Sequence, residues 1–281
     1  MIEEKYDFFK GCPCTKGAPG CGYHIFNLGF GCIYECTYCY LQEYTNCPGI
    51  VLPVNLDSYF AVFAKYKRPG MRIGTGEFTD SLALDHITQY SLPLVELFSR
   101  HLDTTFEFKT KSANIANLLG QKHHGNIVVS WSLNPQAVVE KNEFYTASLN
   151  QRLKAALECV RAGYRVGFHF DPMIYHKEWG KGYQGLVNKL FDVIPAKKIA
   201  WISLGTLRFN PALKPVIEDR FPVNKILNEE LLMGFDNKLR YSPHVRLFIY
   251  ENMLYWIKRR AKNLYTYLCM EDNNIRKALK K

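Results

Sequence analysis

No run of about 18 consecutive apolar residues occurs in this chain, so no segment of it reads as a membrane-spanning helix. The start, MIEEKYDFFKGCPC, lacks the basic opening and apolar stretch of a secretory signal, and the expected location is the cytoplasm. Low-complexity tracts and repeats of the helical-solenoid kind are also missing. Acidic residues are scarce beside basic ones: 26 Asp and Glu against 36 Lys and Arg give a net charge of +10. That balance suits an anionic partner, either nucleic acid or a small anion. Cysteine, by contrast, is plentiful. Nine of them without a secretory signal point to reduced thiols and metal ligation rather than disulfides. With 281 residues and 47% hydrophobic content, the chain supports one large core or a core plus a small appendage.

The most informative segment is GCIYECTYCYLQ, residues 31–42, where Cys32, Cys36 and Cys39 are spaced C-x3-C-x2-C. Thiolates are the soft ligands that hold iron–sulfur clusters. Three of them in one short loop suit three corners of a four-iron cube and leave the fourth iron open to a substrate or cofactor. Structural zinc asks for four ligands, usually in two pairs, and this triplet does not supply them. The spacing is similar to that of the radical S-adenosylmethionine (SAM) enzymes.

Six strand candidates, each β-branched or aromatic-rich and bounded by polar residues, Gly or Pro, lie at 24–31, 71–78, 104–111, 126–134, 164–174 and 198–207. Helical patterns separate them at 85–101, 113–120, 149–162 and 181–193. The clearest places Leu149, Leu153, Ala156 and Val160 on one face, with Gly163 as the stop. Strands alternating with helices imply an α/β fold with a parallel sheet, here a partial (β/α)6 TIM-type barrel. The expected organisation is a cysteine-bearing N-terminal extension (1–22), the barrel (23–207) and a C-terminal helical cap (208–281). In such barrels the chemistry sits at the carboxyl ends of the strands, where the cysteine loop follows the first one. The cap carries a helical pattern over 244–270 rich in aromatic and basic residues: Phe248, Tyr250, Tyr255, Trp256, Lys258, Arg259, Arg260 and Lys262. It reads either as a packing cap or as a basic rim for a nucleic-acid backbone.

Several segments in order resemble one radical SAM family, the spore photoproduct lyases and their DNA repair photolyase-like relatives. CTYCYLQ is similar to the family's cluster loop, with its flanking tyrosines on Tyr38 and Tyr40. FTDSLALDHIT (78–88) resembles the segment after the second strand, with Asp80 and Asp85-His86 in register. FKTKS (108–112) and SWSLN (130–134) resemble the third and fourth strand ends and place SAM contacts on Lys111 and Ser132. AGYRVGFHFDPMIYHKEWGKGY (162–183) is similar to the fifth strand and its loop. The resemblance implies a [4Fe–4S] cluster on Cys32, Cys36 and Cys39, with SAM on the open iron. Reduction by a donor such as flavodoxin or ferredoxin would cleave SAM to a 5′-deoxyadenosyl radical, which takes a hydrogen atom from a thymine-dimer lesion in DNA. SAM contacts are then expected from Tyr38, Glu77, Asp80, Lys111 and Ser132, and catalytic roles for Tyr38, Tyr40 and Glu77.

The family's hydrogen-donating cysteine aligns with Glu77, in GTGEF, and a carboxylate has no weak bond to hydrogen like S–H. Glu77 instead resembles the acidic residue that accepts a charge-assisted hydrogen bond from the SAM amino group. The radical is then quenched by another group, such as Tyr38, Tyr40 or Cys47, or the substrate differs. The rival readings are a radical SAM enzyme acting on a peptide or small metabolite, and a non-catalytic iron–sulfur protein. Cys12, Cys14 and Cys21, spaced C-x-C-x6-C, form a second ligand-like loop with Cys47 as a fourth ligand, for a cluster or a zinc, or are reduced thiols in a packed turn. Cys159 and Cys269 are expected in the core, and His123 and His124 in a solvated loop. His86 reads equally as a structural or a site residue, and Asp171 as a site residue or a turn cap.

Overall fold

The computed structural model describes residues 9–14, 18–45 and 49–280. Its centre is one eight-stranded sheet in the order Phe9–Gly11, Tyr23–Phe26, Arg72–Gly74, Thr105–Thr110, Ile127–Ser132, Arg165–Met173, Ile199–Thr206, Thr266–Leu268. Every pairing is parallel except the first, in which Phe9–Gly11 runs antiparallel to Tyr23–Phe26. All six expected strands are present, in the expected order. The sheet nevertheless reaches beyond 23–207 at both ends, because the N-terminal segment supplies one edge strand and the C-terminal segment the other.

That last strand corrects the expected helix over 244–270. The helix Pro243–Arg260 begins with proline in its first turn and stops at Arg260. Beyond it, Tyr265, Thr266, Tyr267 and Leu268 pair along Ile202–Leu204 instead, as aromatic and β-branched residues favour. The expected helix over 85–101 is likewise two helices, Asp85–Thr88 and Ser91–Ser99, divided at Gln89 with φ 52. Asp85 causes the break by accepting hydrogen bonds from Ser91 N (2.9 Å) and Ser91 Oγ (2.5 Å). The 113–120 pattern yields only a 3-10 turn, Ala116–Leu118.

Leu149–Arg161 forms as expected, with Ser148 and Gln151 closing a reciprocal cap and Gly163 at φ +97 ending it. Trp179–Val193 also forms, and Pro243–Arg260 packs against it through Trp256 on Trp179, ring centroids 5.5 Å apart. A small second sheet of Arg208–Phe209, Leu231–Met233 and Leu239–Tyr241 lies beyond the barrel strands.

The sheet's inner face holds a buried polar group. Glu107 accepts from Arg72 Nη2 at 2.9 Å, from His169 Nε2 at 2.7 Å and from Trp201 Nε1 at 3.2 Å. Arg72 also reaches across to Tyr267 Oη at 2.9 Å and so ties the second strand pair to the far edge. Burial alone would raise the Glu107 carboxyl, but Arg72 and His169 outweigh it and hold it well below the usual carboxylate range. Burial lowers the His169 pKa, and Glu107 opposes that shift.

Because the folded Glu107 pKa is depressed, its stabilisation is complete above the unfolded carboxyl pKa of about 4.3 and fades as pH falls below that. Replacing Arg72 with Met is therefore expected to destabilise the fold by about 3–5 kcal/mol at pH 7. The loss should be smaller at pH 3, as read from urea unfolding at the two pH values. Equal losses would show that the charge pair is not what Arg72 supplies.

Candidate active site

The cysteine loop leaves the strand Tyr23–Phe26 at its carboxyl end and is pinned at its entry. Phe30 and Val51 exchange two backbone hydrogen bonds of 2.9 Å. Gly31 at φ +90 lies against Gly49 and Ile50, where a Cβ would come within 3.1 Å of a carbonyl oxygen. Within the loop, Cys39 N–H donates to the Cys36 carbonyl at 2.9 Å. The Gln42 side-chain amide donates to the carbonyls of Cys36, Thr37 and Cys39 at 3.1, 3.0 and 3.2 Å. One side chain thus fixes the turn that carries two of the three thiols. Gln42 is itself held by Arg220 Nη1 on its Oε1 at 2.5 Å.

Behind the loop, Glu35-Cys36 pairs antiparallel with Glu143-Phe144. Glu143 is buried and meets Arg152 at 2.6 Å, both side chains being wholly inaccessible. It also accepts from Tyr38 Oη and from Asn134 Nδ2, the latter at 2.8 Å. Arg152 spends its remaining donors on the carbonyls of Ser132 (2.9 Å) and Ala147 (2.8 Å) and on Thr146 Oγ1 (2.7 Å). Burial would raise the Glu143 carboxyl; Arg152 and Lys111 reverse that and keep it ionised. Lys111 stands in front, its Nζ 5.8 Å from the Tyr38 ring centroid. Burial would lower Lys111, but the neighbouring Cys36 and Glu143 raise it, so it stays cationic. The three thiols are raised, chiefly by burial, Cys32 to about 11. A bound metal reverses that by taking up the thiolates.

The other expected residues sort as follows. Ser132 ends its strand, buried beside the Arg152 contact. Tyr40 donates to the Glu77 carbonyl, and the residue is 37% exposed. The Glu77 carboxylate is 3.2 Å from Lys10 Nζ, which also lies over the Phe78 ring. Asp80 does not present a free carboxylate. It accepts from Leu82 N, Ala83 N, Thr110 Oγ1 and Lys111 N at 3.0, 2.9, 2.6 and 2.7 Å, and so ties its loop to the neighbouring strand end. Tyr38 is equally committed, its hydroxyl turned inward to Glu143, which removes it as a ready quencher at the mouth. His86 is exposed beside Asn114, with Nδ1 and Nδ2 3.1 Å apart. Asp171 forms a two-point pair with Arg208 at 2.9 and 3.2 Å, and Arg208 holds its carboxyl low against burial.

Cys47 lies outside the described residues. Among those described, no three His, Cys, Asp or Glu side chains surround a single-ion site. Cys12, Cys14 and Cys21 therefore form no zinc site by themselves. For Cys32, Cys36 and Cys39 the case for a cubane, whose ligands each bind a different iron, rests on their chemistry as three soft donors in one short loop. The soft donor set, the braced loop and the cationic Lys111 beside it fit such a cluster.

Glu143, Arg152, Gln42 and Lys10 were not singled out in the sequence. Arg152 gave one faint signal, a charge three residues after Leu149 on the flank of the buried helix face. The C-terminal helix divides between the two readings offered for it. Tyr250 and Trp256 pack inward and Arg260 pairs with Asp192 at 2.5 Å, while Tyr255, Lys258 and Arg259 remain exposed. No helix among the described residues is long and apolar enough to cross a membrane.

A family model described as spore photoproduct lyase matches residues 13–247. A spore photoproduct lyase of Geobacillus sp. (strain Y412MC61) is 32% identical over 211 residues, covering 71% of this chain and 60% of the relative. That of Bacillus subtilis (strain 168) is 32% identical over 212 residues, with 71% and 61% covered. The chain thus spans about 60% of the length of the curated relatives it matches. Among solved structures, a cysteine-to-alanine mutant of spore photoproduct lyase with a dinucleoside spore photoproduct superposes with a TM-score of 0.80. It is 28% identical and covers 87% of this chain and 76% of its own.

Replacing Arg152 with Met leaves Glu143 buried and without its main partner, and is expected to cost about 3–5 kcal/mol in urea unfolding. Arg152→Met combined with Glu143→Gln should recover part of that loss. No recovery would mean that Arg152 acts through packing alone.

Proposed function

The chain belongs to the spore photoproduct lyase family, and from that premise we propose that it is a radical SAM lyase acting on a thymine-dimer-type lesion in DNA. The observation that carries this reading is the braced loop of Cys32, Cys36 and Cys39 beside a cationic Lys111, set at the carboxyl ends of parallel strands. When bound, a [4Fe–4S] cluster and SAM supply one-electron cleavage and a carbon-centred radical that takes a hydrogen atom from substrate. The chain's own residues bind, orient and shield. Cys32, Cys36 and Cys39 would hold the cluster, and Gln42 fixes the turn that carries Cys36 and Cys39. Lys111 offsets the negative charge of the thiolates and suits the SAM carboxylate. Ser132, at the next strand end, offers a hydroxyl, and Glu77 an acceptor for the SAM amino group. Tyr38 bears on SAM only through its ring face, and Asp80 by holding the loop between Glu77 and Lys111.

Glu77 stands where the family's hydrogen-donating cysteine aligns. Tyr40, partly exposed and hydrogen-bonded to the Glu77 carbonyl, is the described aromatic best placed to return the hydrogen atom. A flavodoxin or ferredoxin would supply the electron, and the cytoplasm the reducing setting. The basic balance of the chain, with Lys258 and Arg259 exposed on the C-terminal helix, supports a DNA substrate.

The test is anaerobic incubation of the reconstituted, dithionite-reduced protein with SAM and a dinucleoside spore photoproduct, followed by chromatography. Release of the repaired dinucleoside, reduced at least tenfold by Lys111→Met and by Tyr40→Phe, is the expected result. Failure to convert the lesion while SAM is still cleaved would move the substrate to a peptide or small metabolite.

A further inference from the structure

Basic residues are not spread evenly over the two ends of the barrel. Connections lead from a helix into the amino end of a parallel strand at 67–71, 100–104, 119–126, 162–164, 194–198 and 261–265. The first carries Lys67 and Arg68, the second Arg100, the third Lys122, the fifth Lys197 and Lys198, and the last Lys262. Asp103 is the only acid among these described residues. The opposite end reverses the balance. In the connections that leave the strands, at 27–40, 75–84, 111–115, 133–135, 174–178, 207–212 and 269–272, the bases are Lys111, Lys177 and Arg208. Glu35, Glu77, Asp80, Glu178, Glu271 and Asp272 outnumber them. The basic excess of the connections therefore lies at the amino ends, away from the cysteine loop.

The basic connections stand side by side. Lys67 Nζ is 3.4 Å from His101 Nδ1, and Asn126 Nδ2 donates to the carbonyls of Phe98, His101 and Thr104 at 2.8, 3.1 and 2.9 Å. His123 Nε2 is 3.2 Å from the Ala162 carbonyl, Val166 pairs with Ile199, and the Tyr265 carbonyl accepts from Ile202 N at 2.9 Å. Arg100 and Arg260 spend their charge on Glu96 and Asp192. Lys67, Arg68, Lys122, Lys197 and Lys262 are exposed, as are Arg161, Arg165, Lys258 and Arg259 beside them, and none pairs with a carboxylate among the described residues. At one margin lies an open groove of about 670 Å³, lined by Lys10, His24, Lys65, Lys67 and Arg68 and by no carboxylate of the described residues.

Unpaired bases held in one face neutralise phosphates and release their counterions, which drives binding whatever the base sequence. We propose that the amino-end face binds the phosphate backbone of duplex DNA, apart from the mouth that takes the lesion. That the polymer is DNA rests on the function proposed above. The helix Pro243–Arg260 starts at the carboxyl side, where Arg246 meets Asp272 at 3.1 Å, and ends at the amino side; its 18 residues span about 27 Å. Duplex DNA is stiff over about 50 nm, so one short segment does not bend from the mouth round to this face. The amino-end face therefore takes a second segment and keeps the protein on DNA while the mouth is empty.

The test is fluorescence anisotropy of labelled, lesion-free duplex DNA with the reconstituted protein over a salt series. A variant carrying Lys67→Gln, Arg68→Gln, Lys197→Gln, Lys198→Gln and Lys262→Gln is expected to bind at least about tenfold more weakly at low salt. Its slope of log K against log salt should be shallower by about 3. Lys177→Gln, Lys181→Gln, Lys214→Gln, Lys225→Gln and Lys277→Gln together remove the same charge elsewhere and should cost less than about threefold. Conversion of the dinucleoside spore photoproduct, which has no flanking backbone, should be unchanged in both variants. If the intact chain does not convert the dinucleoside, iron content and circular dichroism serve as the folding controls, and the binding result still decides. Binding of the first variant within twofold of the intact chain, an equal loss in the second, or a matching loss of dinucleoside conversion would overturn the proposal. Binding to phosphatidylglycerol vesicles but not to the duplex would overturn it in favour of a membrane surface.

Discussion

The buried pair of Arg152 and Glu143 is the constraint on which the site depends. Two charges withdrawn from water are costly, and they persist together only when their remaining donors and acceptors are satisfied. Here each spare hydrogen bond fastens a different piece of the site. Arg152 reaches the carbonyl of Ser132 at a strand end, and Glu143 reaches Tyr38 in the cysteine loop and Asn134 after the same strand. Asn134 in turn accepts from Tyr183 Oη at 2.7 Å, whose oxygen takes the Ile174 N–H at 2.8 Å. The polar chain therefore runs from the cysteine loop to the end of the fifth parallel strand.

A loop that must present three thiolates to one cluster needs that rigidity, because a shift of about an ångström at a site is costly. Phe30 and Val51 fix its entry, Gln42 its turn and Glu143 its rear, while Lys111 sets the charge in front. On the far side, Asp80 ties the loop carrying Glu77 to the strand end carrying Lys111. Of the expected site residues, Tyr40 is partly exposed beside Glu77, whereas Tyr38 and Asp80 spend their polar atoms on Glu143 and on the loop and strand end around them.

Much of this was legible in the sequence. Cys32, Cys36 and Cys39, and the six parallel strands, are encoded locally by spacing and by β-branched and aromatic runs. Lys111 and Ser132 were singled out by the resemblance of FKTKS and SWSLN to the family's strand ends, which no local pattern in the chain would have supplied. Glu143 and Arg152 were not, since a buried ion pair has no periodicity and its partners lie far apart in the chain. The strand Thr266–Leu268 was hidden for a related reason. Tyr and Leu satisfy helix and strand patterns equally, and only the open edge of Ile199–Thr206 decides between them. The resemblance put Asp80 among the SAM contacts, but the sequence does not show the four donors that its carboxylate accepts from.

The central claim is that this loop presents an open iron to SAM. The most direct measurement is 5′-deoxyadenosine, quantified after anaerobic reconstitution and one-electron reduction with SAM and with lesion-bearing DNA present. The account predicts formation in the intact chain and its loss in Cys36→Ala. A fully loaded, reduced cluster that yields no 5′-deoxyadenosine with that DNA present would contradict it.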